Sequence, residues 1–206
     1  MRYKPHHFGS FVLIIVSLLA VVCPSAQATY IATLNEIGTD VVGAGSGSLN
    51  TTDLTKGLFT VGQVIIRPAE GEFELGPNAL RDIYFFISGP GSFGSGNLNN
   101  LANSESGNGV AVAGGQFLYV PHDYISGSPL GISTSTWNNA TFASLGVTPG
   151  TYIWSWGSGI NADTFTLQIG PAAPTNGVPD SGSTIALMLG AIVALAAFRS
   201  KLRAGS

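Results

Sequence analysis

Short runs of β-forming residues dominate the middle of the chain. Seven runs rich in β-branched and aromatic residues and bounded by Gly or Pro predict strands, at residues 30–36, 41–49, 58–67, 83–87, 116–120, 151–156 and 164–169. The run at 83–87 is continuously apolar, which predicts a strand buried on both faces. None of the seven sustains the 3.6-residue period of an amphipathic helix. We therefore predict an all-β domain over residues 29–174, an antiparallel sandwich or a barrel-like fold.

Two stretches between and after these runs lack hydrophobic patterning. Residues 88–109 are rich in Gly, Ser and Asn, and a loop this long is either a functional excursion or a mobile segment. Residues 170–177 form a Gly- and Pro-containing linker. The chain divides accordingly into residues 1–28, the β domain at 29–174, and a C-terminal region at 175–206.

The charge balance excludes one large class of function. Charged residues make up 9% of the 206 residues, so Ser, Thr, Asn, Gln and Gly must form most of the surface. Residues 29–174 contain three basic and ten acidic residues, a balance of −7. A domain with this charge lacks the basic surface that binds the phosphates of DNA or RNA, so nucleic-acid binding is excluded.

The N-terminus has the three parts of a secretory signal peptide. Arg2 and Lys4 precede a 12-residue apolar run at 11–22, which predicts a signal helix, and Ala26 and Ala28 form a small-x-small cleavage site. The mature chain is expected to begin at residue 29. An uncleaved anchor is the alternative. Lipidation of the single cysteine, at residue 23, is disfavoured by the valine before it. If residues 1–28 are cleaved, this cysteine is removed with them and the mature chain contains no thiol.

The C-terminus has a second tripartite arrangement. A short polar motif precedes an apolar run that predicts a transmembrane helix at about 184–198, and three cations follow it. The motif is Val178, Pro179, Asp180, Ser181, Gly182, Ser183 and Thr184; the cations are Arg199, Lys201 and Arg203. The positive-inside rule places these cations in the cytoplasm and the β domain outside. The apolar run is short for a bilayer, so it favours temporary retention over permanent anchoring, with a plain anchor as the alternative.

This tail closely resembles the VPDSG-CTERM signal, a variant of the PEP-CTERM sorting domain. The resemblance covers residues 178–203. It implies a Gram-negative source, recognition by an exosortase-type membrane transpeptidase, release or transfer towards the cell surface or the extracellular matrix, and association with exopolysaccharide. Residues 29–174 also resemble ectodomains that PEP-CTERM proteins carry, to which no biochemical activity is assigned.

An aromatic row on one predicted strand has two interpretations. Tyr152, Trp154 and Trp156 alternate along residues 151–156, so they share one face. Such a row can stack on sugar rings, which would make the domain a carbohydrate-binding module. It can equally pack in the core against Phe165 and Leu167 of the next strand.

Three alternating carboxylates also have two interpretations. In an extended segment Glu70, Glu72 and Glu74 share one face, and bound Ca²⁺ would relieve their repulsion. The alternative is a solvated edge strand whose charges discourage aggregation.

No catalytic or cofactor-binding constellation is evident. The motif G-x-G-x-x-G at residues 89–94 is not followed by a helix opening, so we interpret it as a loop. His122, the only histidine after residue 28, is interpreted as a surface loop residue, which disfavours a zinc site. We therefore expect a non-enzymatic protein without cofactors, and the sequence predicts no metal site apart from the calcium alternative.

Overall fold

The computed structural model describes residues 29–171, which form an all-β fold with almost no helix. The strands, in chain order, are β1 (Thr29–Ile37), β2 (Asp40–Gly47), β3 (Thr55–Val61), β4 (Ile65–Arg67), β5 (Glu72–Leu75), β6 (Leu80–Phe85), β7 (Asn100–Leu101), β8 (Ser104–Ser106), β9 (Val110–Ala113), β10 (Phe117–Pro121), β11 (Ser133–Trp137), β12 (Gly150–Trp156) and β13 (Asp163–Ile169). One short helix, α1 (Phe142–Leu145), and two 3₁₀ turns, Pro68–Glu70 and Gly159–Asn161, complete this part of the chain.

The strands form two sheets. The first has the order β12-β13-β1-β2-β11-β8 and the second β3-β6-β10-β9-β5-β4-β7. Alternate residues of each sheet point into one hydrophobic core. The first sheet contributes Tyr30, Ala32 and Leu34 of β1 and Phe165, Leu167 and Ile169 of β13, and the second contributes Phe73, Val110, Val112, Leu118 and Val120. The strict alternation of β1 and β13 explains why the sequence pattern located them correctly.

One strand pair departs from the predicted antiparallel arrangement. β1 forms an antiparallel hairpin with β2, but its other edge pairs in parallel with β13, with Tyr30 opposite Phe165 and Leu34 opposite Ile169. A parallel pair needs a long connection, and here nearly the whole domain lies between the two strands. The first and last strands therefore meet in the interior of one sheet.

Two predicted strands need correction. The run at 58–67 is not one strand, because the chain leaves the ladder after β3 and re-enters it as β4. The run at 83–87 ends early, because Phe86 has a positive φ of 75° and is 77% exposed. Ile83 and Phe85 are only half-buried, so this strand is not buried on both faces.

The stretch at 88–109 is structured. It contains β7 and β8, and Phe93 is buried in the core against Phe73 and Tyr152. Gly89 of the G-x-G-x-x-G motif lies so close to the Trp154 indole that a Cβ there would be 2.3 Å from its ring. In this fold the first glycine of that motif allows a close packing contact.

The outward face of the first sheet shows how the low charge content of the chain is accommodated at the surface. One row across its six strands consists of Thr151, Gln168, Thr33, Ala44, Thr134 and Ser106. Thr134 and Ser106 share a hydrogen bond of 2.7 Å between their hydroxyls. Hydroxyl and amide groups take the place of the charged side chains usual on such a surface.

Within residues 29–171, no helix is long and apolar enough to cross a membrane. The predicted signal helix and the predicted transmembrane helix at about 184–198 both lie outside the described residues.

Candidate functional site

The predicted processing signals lie outside the described residues. They comprise the cleavage residues Ala26 and Ala28, the motif from Val178 to Thr184, and the cations Arg199, Lys201 and Arg203. Their assignment rests on the sequence and on the comparison given below. The candidate sites inside residues 29–171 are an aromatic row, a polar cleft and a histidine cluster.

The aromatic row of β12 packs inward. Trp154 is fully buried and contacts Phe165 edge-to-face, with ring centroids 5.8 Å apart. Trp156 is 6% exposed and its indole Nε1 donates to the Asn50 carbonyl at 2.7 Å. Tyr152 is half-buried and its hydroxyl donates to the Thr148 carbonyl at 3.0 Å. This arrangement favours the packing interpretation over a glycan platform, because stacking on a sugar needs exposed ring faces.

The second sheet curls around a polar cleft. Its strand order puts β3 and β4 five inter-strand gaps apart, which in a flat sheet would be about 24 Å. The chain from Val61 to Ile65 joins them and reaches at most about 14 Å. The sheet must therefore curl to bring its ends together. A cleft of about 280 Å³ lies between the connecting segment and the strands, lined by Thr60, Val61, Gly62, Gln63, Ile65, Glu72, Glu74 and Tyr119.

The three predicted calcium ligands do not form one cluster of free carboxylates. Glu70 lies in a 3₁₀ turn and is exposed, whereas Glu72 and Glu74 lie on β5 and line the cleft. The Arg67 guanidinium pairs with both Glu70, at 3.0 Å, and Glu72. Arg81, which is fully buried, pairs with Glu74 at 2.6 Å. Each carboxylate thus has a guanidinium partner with which Ca²⁺ would have to compete.

Burial changes the ionisation of the cleft. Removal from water raises the pKa of Glu74 to about 7; the Arg81 cation opposes this rise and the neighbouring Glu72 carboxylate adds to it. Burial likewise raises the pKa of the Tyr119 phenol. Near neutral pH the cleft therefore presents a partly protonated carboxyl beside a phenol hydroxyl, a surface that can both donate and accept hydrogen bonds.

The structure places His122 in a cluster that the sequence did not indicate. Its Nδ1 is 2.8 Å from Oδ1 of Asp82, which is 1% exposed. The other oxygen of Asp82 accepts from the Asp123 backbone N–H at 3.0 Å and lies 2.7 Å from the Lys56 ammonium. These donors hold the pKa of the Asp82 carboxyl below its usual value, although burial alone would raise it.

Sequence separation explains why this cluster was missed. Asp82 precedes His122 by 40 positions, and the pairing of β6 with β10 sets Asp82 opposite Val120, two residues before His122. The only local signal was the adjacent pair His122-Asp123. Nothing in the local sequence marks the buried carboxylate that orients the imidazole.

The described part of the chain thus belongs to the class of acidic all-β domains built from two sheets. No curated protein matches the chain, and no solved structure matches it. Residues 177–202 match the VPDSG-CTERM motif family. The chain therefore carries a VPDSG-CTERM sorting motif, whose known role is to mark substrates of exosortase-type enzymes. Such a motif implies export and membrane-anchored transit before cleavage.

Proposed function

We propose that this protein is a non-enzymatic component of the cell surface or extracellular matrix, released or transferred by an exosortase-type transpeptidase. The VPDSG-CTERM motif at residues 177–202 is the observation that carries the proposal. The two-sheet core of residues 29–171, and the row of hydroxyl and amide side chains on the outward face of its first sheet, are compatible with a structural role outside the cell. The association with exopolysaccharide is part of the proposal and is supported by the family resemblance of the tail.

The chemistry of the tail suggests how sorting proceeds. The apolar run at 185–198 is too short to hold the protein strongly in a bilayer of ordinary thickness. Arg199, Lys201 and Arg203 make complete translocation costly. The chain therefore pauses in the inner membrane with residues 178–184 outside. The linker before the motif lets those residues enter an active site.

The test replaces two motif residues. Cells carrying the double variant Pro179→Ala, Asp180→Ala should retain the full-length protein in the inner membrane fraction, whereas the parent is released. A matched control replaces Pro171 and Pro174 of the linker with Ala, which removes two prolines without altering the motif. This control should be released like the parent. Normal release of the motif variant would show that release does not depend on Pro179 and Asp180, and would overturn the proposal that the motif is recognised.

A separate experiment addresses the alternative of a carbohydrate-binding module. Tyr152 is the least buried residue of the aromatic row. If the row bound glycans by stacking, Tyr152→Ala, which removes the ring, would weaken retardation of the protein in gels containing the native exopolysaccharide. We expect no change, because Trp154 and Trp156 are buried and the row offers no exposed stacking surface.

A further inference from the structure

We propose that His122 and Asp123 form a surface site for a divalent transition-metal ion of the Zn²⁺, Ni²⁺ or Cu²⁺ type, with buried Asp82 as the residue that positions the imidazole. The inference is independent of the sorting role proposed above. It departs from the expectation that the sequence holds no zinc site.

The hydrogen bonds of Asp82 determine which nitrogen of His122 is available. Asp82 accepts from the Lys56 ammonium and the Asp123 backbone N–H, which stabilise its ionised form. An ionised carboxylate has no proton to donate, so His122 Nδ1–H is the donor in the contact with Asp82. A proton on Nδ1 leaves the lone pair of Nε2 free. A carboxylate that holds the far nitrogen in this way is the usual second partner of a metal-bound histidine, because it fixes the tautomer and the ring orientation.

The distance to the second ligand suits a shared ion. His122 Nε2 lies 3.5 Å from Asp123 Oδ2, which is long for a hydrogen bond. Zinc binds imidazole nitrogen and carboxylate oxygen at about 2.0–2.2 Å, and a near-tetrahedral angle sets two such ligand atoms about 3.3–3.6 Å apart. The present separation therefore matches the spacing that a shared ion requires.

The imidazole of His122 and the backbone of both ligand residues are held in place before an ion binds. The His122 backbone N–H donates to the Leu80 carbonyl at 3.0 Å, and that of Asp123 donates to Asp82. The Phe59 ring packs against the imidazole, with centroids 5.3 Å apart. Asp123 has a φ of 59°, a left-handed conformation that fixes where its side chain leaves the chain. Ordered ligands lose little conformational entropy on binding.

The ligand set and its exposure indicate the class of ion. The side chains of His122 and Asp123 are 35% and 81% exposed, so an ion has access and water can fill its remaining coordination positions. Asp82 is paired with Lys56, and therefore orients the site instead of ligating. An imidazole nitrogen favours Zn²⁺, Ni²⁺ and Cu²⁺, whereas Ca²⁺ and Mg²⁺ select oxygen ligands.

The experiment uses the full chain in detergent with His6→Gln, His7→Gln and Cys23→Ser, so that His122 is the only imidazole and no thiol competes for zinc. Titration with ZnCl₂ is followed by the ¹⁵N resonances of this imidazole and by calorimetry. We expect one ion per chain, a shift of the Nε2 resonance, and no response to CaCl₂. Asp123→Asn, at an exposed position, should weaken binding by about 10-fold or more, and Asp82→Asn by about 10- to 100-fold.

Controls make each outcome decisive. Glu70→Asp and Asp53→Asn alter exposed carboxylates elsewhere in the domain and should leave the zinc affinity unchanged. Thermal melts of each variant in the absence of metal establish that the fold is retained. An unshifted Nε2 resonance in excess ZnCl₂ would overturn the proposal. An affinity unchanged by Asp123→Asn or by His122→Gln would overturn it as well.

Discussion

Trp154 is a single side chain that fills a large part of the core between the two sheets. It is fully buried, contacts Phe165, and lies against Gly89. We expect Trp154→Ala to lower the free energy of unfolding by about 3–5 kcal/mol, because it leaves a large cavity. Urea denaturation of the exported protein measures this loss.

A neighbouring residue on the same strand provides the control. Ile153 points to the opposite face of β12 and is 51% exposed. Ile153→Ala should change the free energy of unfolding by less than about 1 kcal/mol. Equal losses for the two variants would contradict the inward orientation of the aromatic row.

Glu74 makes stability depend on pH. Its pKa is about 7 in the folded protein and 4.5 in an ordinary environment, so between these values the folded state binds more protons than the unfolded state. The free energy of unfolding therefore falls as pH rises from about 4.5 to 7. Asp163, whose pKa burial raises to about 6, contributes in the same direction at lower pH.

The variant Glu74→Gln isolates this contribution. Glutamine resembles the protonated acid and still offers an oxygen to Arg81, so the decline in stability between pH 6 and 7 should largely disappear. Glu70→Gln, at the exposed end of the same segment, should retain the decline. Thermal melts at half-unit pH intervals measure both. A decline that persists unchanged in Glu74→Gln would assign it to another group.

At the scale of the element, β2 shows why its inward positions hold glycine. A Cβ on Gly45 would lie 2.7 Å from Tyr30 Cε1 and 2.8 Å from Leu75 Cδ1, and both side chains are fully buried. Gly45→Ala should therefore lower the free energy of unfolding by about 1–3 kcal/mol through overpacking.

The control for this prediction lies one residue further along β2. Ser46 is on the outward, exposed side of the strand, so Ser46→Ala should have little effect on stability. Denaturation curves of the two variants allow direct comparison. A Gly45→Ala variant as stable as the parent would show that Tyr30 and Leu75 move apart without cost.

At the scale of the whole molecule, the predicted signal peptide ends directly before the first strand of the folded domain, at residue 29. Thr29 is both the predicted first residue of the mature chain and the first residue of β1, where it pairs with Thr164 of β13. We expect mass spectrometry of the exported protein to find Thr29 at its N-terminus. Replacing Ala26 and Ala28 with Leu should block this cleavage, because both positions require small side chains. An intact Met1 or an acylated Cys23 would contradict the signal peptide.

Local sequence patterns predicted the positions of several strands and the sorting motif. Alternation located β1, β2, β10, β12 and β13, because inward and outward residues of these strands face different environments. The short polar strands β7 and β8 and the fully buried β5 lack such alternation, and their positions were not predicted. β9 and β11 were not predicted either; β11 alternates in burial, but it consists mainly of Ser and Thr, so no hydrophobic pattern marks it. The VPDSG-CTERM motif was recognisable because its residues are contiguous.

The all-β class, the acidic charge of the domain and the sorting motif of the tail could be inferred from the sequence alone, since each depends on neighbouring residues or on composition. The folded chain was needed to find the parallel pairing of β1 with β13, the curl that encloses Glu72 and Glu74, and the contact of Asp82 with His122. These features depend on strand order and register between distant segments. Strand order and register are set by the packing of the entire core, which no local pattern specifies.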